Sequence, residues 1–538
     1  MGEILAFVLY FVAMLGIGIF FFATSKSNGE KDYFLGGRSM GPWVTAMSAQ
    51  ASDMSAWLLM GLPGSIIAFG LGQAWIGIGL AIGTALNWII VAKRLRKFSK
   101  AAGDAITLPQ YLTNRFLAKS SALKIICAIV FLVSFTIYVA SAFSAGTKVF
   151  VQLFPALDPM VAMIIFAAII LVYTFLGGYK AVCWTDFFQG LLMLAALVTV
   201  PVVIALFGNI DAELLNQTVT NANGDEFTFV SNLFSASWKD IVSGLGWGLG
   251  YFGMPHILVR FMAIEKPSMV KKSSIVAIVW VVISLLATIL IAYYGRMFVM
   301  NDGVPFAQHL LVDVENQELI FVILTRTLFP AFIAGILLAA IIAASMSTAD
   351  SQLLVASSSF TSDIYKPIIR KKASEKELLW VGRIVVVIVA IVAFFIASSK
   401  GEGAAAIMSL VSNAWALFGA AFGPVILLSL FWKRFTYKGA IAGIVSGALV
   451  DMLWLWLPIF NIQEIAAKIP NADGALVDAM LKVPVNIGTL YSITGIYEII
   501  PGVIAALIAA VVVTLIDKKP EPEVEAIFDA ATNESLDD

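Results

Sequence analysis

With 538 residues, of which 60% are hydrophobic and only 13% charged, and a mean hydropathy of +0.93, the chain carries too few charges to cover a water-facing surface of its size. Its solvent is largely lipid. A formal net charge of −1 gives no bulk attraction to nucleic acid, and Cys127, Cys183, His256 and His309 are too few for a disulfide framework or a Cys/His metal centre.

Taken in chain order, apolar runs of roughly 20 residues predict an all-α membrane protein with about thirteen spanning helices. They cover 3–23, 42–69, 72–92, 122–147, 159–177, 186–207, 240–262, 272–295, 319–348, 378–398, 404–431, 437–457 and 499–516. The first begins MGEILAF, with Glu3 and no basic n-region, so it reads as a retained span rather than a signal peptide. Lys and Arg gather at alternate ends: 27 of the 34, Arg260 among them, fall on one side. That bias predicts an N-terminus outside and a C-terminus in the cytoplasm. The 208–235 loop on the other side has Asp211, Glu213, Asp225 and Glu226 but no base. The tail 520–538 is acidic and is expected to be disordered.

Two spans are interrupted near their middles. The second contains SAQASDMSAWLLMG (48–61), and the seventh contains GWGLGYFGMPH (246–256), with four glycines and Pro255. Glycine weakens a helix and proline removes a backbone donor. In lipid such backbone is tolerated only where it lines a protein cavity. Paired interruptions in two halves of a chain point to a transporter's central site. Their separation by five spans suits a five-plus-five inverted repeat over spans 2–6 and 7–11. The chain then divides into 1–40, 41–207, 208–431, 432–519 and the tail 520–538. Gly248–Leu–Gly250–Tyr–Phe–Gly253 fits a dinucleotide-binding pattern, but no strand precedes it and it lies inside an apolar helix.

Acids at bilayer depth are functional candidates because their burial is costly. Three qualify: Asp53 in the first interruption, Asp186 at the start of the sixth span, and Asp350 in AASMSTADSQ (343–352). Asp53 could bind a cation together with freed carbonyls of Ala51 and Met54, or simply hold the unwound backbone. On a helix Ser347, Asp350 and Ser351 share a face, with Thr348 beside it. Those hard oxygens suit Na⁺, or equally serve as helix–helix contacts. Asp186 reads either as a functional acid or as one favoured by a helix N-terminus. Tyr138, Trp247 and Tyr251 are packing aromatics or a substrate wall.

The stretches 34–64, 177–190, 246–263 and 343–354, including FLGGRSMGPW, GGYKAVCWTDFFQG and AASMSTADSQLL, closely resemble the sodium/solute symporter family. The resemblance implies a leucine-transporter-like inverted repeat and no enzymatic step. It implies Na⁺ held by the carbonyls of Ala51, Met54 and Ala344 and the hydroxyls of Ser347 and Thr348, with Asp53 needed for sodium-coupled binding. Asp186, Asp350 and Ser351 fall where some members hold a second Na⁺. Ser55, Ala56, Trp57, Tyr138, Trp247, Tyr251 and Pro255 would form the solute pocket, and Arg38 would serve at the cytoplasmic end of the path. The expected activity is Na⁺-driven uptake of proline by a monomer in the bilayer. Another amino acid, betaine or pantothenate is the alternative, and a channel or membrane sensor the rival class. Ala56 and Met254 depart from the familiar pattern, where glycine and glutamine are usual.

Overall fold

The computed structural model describes residues 1–24, 30–208, 210–216, 218–220, 226–300, 314–398, 407–457 and 489–533. Residues 404–406 of the predicted eleventh span, Asp225 and 534–538 lie outside them. The chain runs α1 (Gly2–Thr24), α2 (Glu30–Leu35), α3 (Pro42–Asp53), α4 (Gly61–Phe69), α5 (Ala74–Leu86), α6 (Lys93–Ala101), α7 (Leu108–Arg115) and α8 (Ala122–Leu153). It continues through α9 (Pro159–Phe207), α10 (Trp238–Gly246), α11 (Pro255–Ala263), α12 (Val270–Val299), α13 (Val314–Gln317), α14 (Ile320–Leu328), α15 (Ala331–Ser359) and α16 (Glu375–Ser398). The last elements are α17 (Ile407–Phe431), α18 (Tyr437–Trp456), α19 (Leu490–Thr494), α20 (Ile499–Ile516) and α21 (Pro522–Thr532). A small antiparallel hairpin, β1 (Thr218–Thr220) and β2 (Glu226–Thr228), lies in the loop before α10.

Among the described residues, ten helices are long and apolar enough to cross a membrane. Burial sorts them. Of the most apolar stretch of α1 only 28% is buried, and Ile4, Leu5, Val8, Leu9 and Val12 face outward, as lipid contact allows. The corresponding shares are 78% for α15 and 83% for α17, which form the centre. Alanines 339, 340, 343 and 344 of α15 let it approach α3, α8 and α9 closely. Glycines do the same where α5 meets α10: a Cβ on Gly79 or Gly83 would strike the backbone of Gly244 or Gly248.

Backbone chemistry explains where helices stop. α3 starts with Pro42 in its first turn and ends at Asp53; Met54 (φ −84°, ψ 73°) and Ser55 leave the helical conformation. The Leu58 N–H then bonds Ser55 O, which takes the Met54 carbonyl out of the helical ladder. α10 opens on a capping box of Ser237 and Asp240. It tightens to a 3₁₀ turn over Trp247–Phe252, and the chain extends at Met254 before Pro255 starts α11.

Three expectations are corrected. The predicted 319–348 span is two helices, because Phe329 is extended and Pro330, which lacks an N–H, caps α15; that helix then runs on to Ser359. The predicted 159–177 and 186–207 spans form one run broken at Gly178 (φ 63°, ψ 174°), so the second begins earlier and Asp186 lies two turns inside it. The tail is not all disordered: Pro522–Thr532 is helical. Its Phe528 packs edge-on against Phe98 at 5.2 Å, and the Arg94 and Arg115 guanidiniums lie over its ring. Lys433 pairs with Asp529 at 2.7 Å, so the acidic composition is matched by bases of other loops.

Candidate functional site

The interruption after Asp53 lies against α15, and three of the oxygens expected to bind Na⁺ meet there. Ser347 Oγ lies 2.8 Å from Ala51 O and 3.2 Å from Ala344 O. The Thr348 hydroxyl, one residue on, is buried without a hydrogen-bond partner among the described residues. Ala51, Asp53, Met54, Ala344, Ser347 and Thr348 are each 1% exposed or less. Buried hydroxyls and carbonyls of this kind are hard neutral ligands, suited to a hard cation of low charge. The Asp53 carboxylate turns toward the second interruption: the Tyr251 hydroxyl donates to its Oδ2 at 2.6 Å. Its backbone carbonyl accepts from Ser55 N–H at 3.0 Å and from the Tyr138 hydroxyl at 3.4 Å. Asp53 therefore ties the two unwound segments to each other.

Around that link stand the expected pocket residues. The Trp57 ring lies 6.2 Å from Trp247, and the Trp57 backbone N–H donates to Ser55 Oγ at 3.5 Å. Trp247 stacks on Tyr497 at 5.1 Å, and Tyr251 meets Trp415 edge-on at 5.0 Å. Trp415 Nε1 donates to Trp247 O at 2.8 Å, and Asn87 Nδ2 to Tyr251 O at 3.0 Å, so two carbonyls of the second interruption are satisfied from other helices. Ala56 and Met254 are buried beside these residues, and Pro255 sits in the first turn of α11.

One turn along α15, Asp186, Asp350 and Ser351 also come together, but around a side chain of the protein itself. Arg260 donates from Nη2 to Asp186 Oδ2 (2.9 Å) and to Ser351 Oγ (2.6 Å). Its Nε donates to Ser48 Oγ (2.8 Å) and its Nη1 to His256 O (2.6 Å). The Ser48 hydroxyl donates a hydrogen bond to Asp186 Oδ2 at 2.7 Å, and Ser351 Oγ lies 3.3 Å from Asp350 Oδ1. Arg260, 1% exposed, thus joins α3, α9, α11 and α15. The charge count along the chain placed it among the loop bases. Its signal was an arginine inside the apolar run HILVRFMA, one turn after His256. Asn87, Trp415 and Tyr497 were also missed, because nothing separates them from packing residues until distant helices meet.

At the end of the bundle that carries most of the basic residues, backbone bonds join the stretch before α3 to the end of α11. Met40 N–H bonds Ala263 O at 3.4 Å and Glu265 N–H bonds Met40 O at 3.1 Å. Arg38 donates to Met262 O (2.6 Å), Ala105 O (2.8 Å) and Ser99 Oγ (3.0 Å) and pairs with Asp104 at 2.8 Å. Arg96 reaches Ile264 O and Glu265 O at 2.6 and 2.9 Å. The last carbonyls of α11 are thus capped by two arginines, which a helix C-terminus favours. Partial burial alone would raise the Asp104 carboxyl, but Lys31, Arg38 and Arg96 outweigh it and hold Asp104 below the usual carboxylate range. From the opposite end, a cavity of about 500 Å³ reaches down to Trp247.

Comparison with known proteins fits this arrangement. Residues 33–447 match the sodium:solute symporter family. The sodium/proline symporters of Staphylococcus aureus strains NCTC 8325 and COL are each 41% identical over 531 residues, 96% of this chain and 93% of theirs. Among solved structures, the substrate-bound outward-open state of a Na⁺-coupled sialic acid symporter superposes with a TM-score of 0.71 at 19% identity, covering 97% of this chain and 99% of that one. A nucleobase-cation-symport-1 family transporter, closed around bromovinylhydantoin, gives 0.53 at 13% identity, over 94% and 99%. These two likenesses establish the fold. The extent of the family match and the identity across nearly the whole chain establish the rest: this multi-pass membrane protein belongs to the sodium:solute symporter family.

Proposed function

We propose that the protein couples Na⁺ moving down its gradient to uptake of proline by alternating access. The observation that carries this reading is the 41% identity to sodium/proline symporters over 96% of the chain. The gathering of Ser347, Ala51 O and Ala344 O beside an aromatic pocket supports it. Na⁺ takes those three oxygens with Thr348 Oγ and the Met54 carbonyl. Asp53 supplies the full negative charge nearby and passes the state of the ion site to Tyr251 through their hydrogen bond. The proline ring lies among Trp57, Tyr138, Trp247 and Tyr251, with Ser55, Ala56 and Pro255 completing the wall. An apolar ring with a zwitterionic head calls for aromatic walls with a few placed polar groups.

In this reading the chain crosses the membrane about thirteen times, N-terminus outside. The stretches 42–69 and 238–263 are interrupted spans, and 41–207 and 208–431 are the two inverted halves; one copy is the working unit. The cavity above Trp247 with Arg38, Arg96 and Met40 closed below describes an outward-facing form. Inward opening releases Arg38 from the end of α11. A second Na⁺ among Asp186, Asp350 and Ser351 would have to share their oxygens with Arg260, so one Na⁺ per cycle is proposed. The driving force suffices: a membrane potential near 100 mV gives about 2.3 kcal/mol per charge, and a tenfold Na⁺ gradient about 1.4 kcal/mol more.

The test is uptake of labelled proline into proteoliposomes with and without an inward Na⁺ gradient. Gradient-dependent accumulation is expected. Accumulation of betaine, pantothenate or another amino acid in place of proline would move the substrate, and equilibration without accumulation would indicate a channel.

A further inference from the structure

α20 packs along α18 and brings together two acids that lie outside the matched 33–447 region. Glu498, just before α20, is 1% exposed, and Asp451 of α18 is 2% exposed. A Cβ built on Gly502 would lie 3.4 Å from Asp451 Cβ, and Gly502 is one helical turn beyond Glu498. The two carboxylates therefore sit about one turn apart on facing helices, where they repel each other.

Among the described residues, neither has a salt bridge, and apart from the Glu498 amide itself no donor reaches them. Asp451 Oδ1 is buried with no partner at all. A helix N-terminus favours Glu498, but Asp451 lies in the last turns of α18, where the helix dipole disfavours a carboxylate. A buried acid so placed calls for a positive partner. Glu498 also lines the cavity above Trp247, together with Tyr497, Ser243 and Ser412. Glu498 is thus reached from the side opposite Arg38, through the cavity that Trp247 also lines.

We propose that Glu498 and Asp451 hold a small hard cation, sodium, at the outer mouth of the pathway, distinct from the site at Ser347 and Thr348. The inference rests on the sodium-coupled reading and adds a place where the ion sheds part of its water before passing Trp247. Carboxylate oxygens are the ligands hard cations prefer.

The decisive measurement is equilibrium binding of ²²Na⁺ to the purified full-length protein without proline. Four forms are compared: the parent, Ser347→Ala with Thr348→Ala, Glu498→Gln with Asp451→Asn, and the combination of all four changes. The form lacking the central hydroxyls is expected to keep one saturable Na⁺ population, and the fourfold variant to lose it. When the measurement is repeated with proline added, the Gln/Asn form should keep proline-stimulated Na⁺ binding, which also shows that it is folded. Asp451→Asn alone, the milder change, should weaken the residual population about tenfold, an affinity loss of about 1.4 kcal/mol. Absence of saturable binding in the form lacking the central hydroxyls, or its survival in the fourfold variant, overturns the proposal. Failure of the sodium-coupled reading would show separately, as proline uptake in the parent that ignores Na⁺.

Discussion

At the turn of α15 that carries Ser347 and Thr348, the groups gathered against α3 are neutral oxygens. One turn on, at Ser351, a guanidinium pairs with the Asp186 carboxylate and is held by two serines and a carbonyl. The two turns share a helix, a neighbour and full burial, yet they handle positive charge in opposite ways. In the proposed function, the neutral hydroxyls and carbonyls hold an ion that must also leave. Arg260 cannot leave, so the Asp186 turn is a fixed tie among four helices. The difference separates cargo from scaffold within about 6 Å of helix rise.

The sharpest way to break that contrast is to remove the fixed cation. Arg260→Ala leaves Asp186 buried and unpaired, and loss of one partner of such a pair costs about 3–5 kcal/mol. A large fall in the thermal unfolding midpoint of the purified protein is expected, and adding Asp186→Ala should recover most of it. If Arg260→Ala alone leaves the midpoint unchanged, the turn is not a scaffold.

The next largest effect falls on Asp53, in the interruption that lies against the neutral turn. Asp53→Asn keeps an acceptor for Tyr251 but removes the full negative charge. Na⁺-driven proline uptake should drop roughly a hundredfold, while Asp53→Glu keeps part of it. An Asn variant with the parent's Na⁺ affinity would reduce Asp53 to an anchor for the unwound backbone.

Within the neutral turn, Ser347→Ala or Thr348→Ala each removes one ligand of few. The Na⁺ concentration for half-maximal uptake should rise about tenfold, an affinity loss of about 1.4 kcal/mol, with the thermal midpoint nearly unmoved. Both variants keeping the parent's sodium dependence would place the ion elsewhere. The smallest effect is expected from a change touching neither turn. Trp247→Ala should weaken proline about fivefold, in keeping with about 1 kcal/mol of aromatic contact, and spare Na⁺ affinity at saturating proline. A Na⁺ affinity that falls with it would show that the aromatic wall and the ion turn are one unit.

The neutral turn was legible because its logic is local. Ser347 and Thr348 stand out as hydroxyls in an apolar helix, and an interrupted segment announces free carbonyls wherever it folds. The fixed turn was only half legible. Asp186 drew attention as an acid among apolar residues, but its partner lies 74 positions away in a stretch that reads as the end of a span. The tail misled for a related reason: its acids meet Lys433, and Phe528 meets Arg94 and Arg115, contacts that composition does not contain.

By itself the sequence determined the solvent, the apolar runs that must be helices in lipid, and the two places where helix could not continue. Each follows from energies that belong to single residues or to neighbours a few positions apart. Tertiary structure alone decided which carboxylate would own a base, which hydroxyl would face a carbonyl, and that Glu498 and Asp451 would face each other. Those outcomes depend on the rotation and depth of packed helices. A change of a few ångströms there moves a buried charge between paired and unpaired, a larger energy than any local preference along the chain.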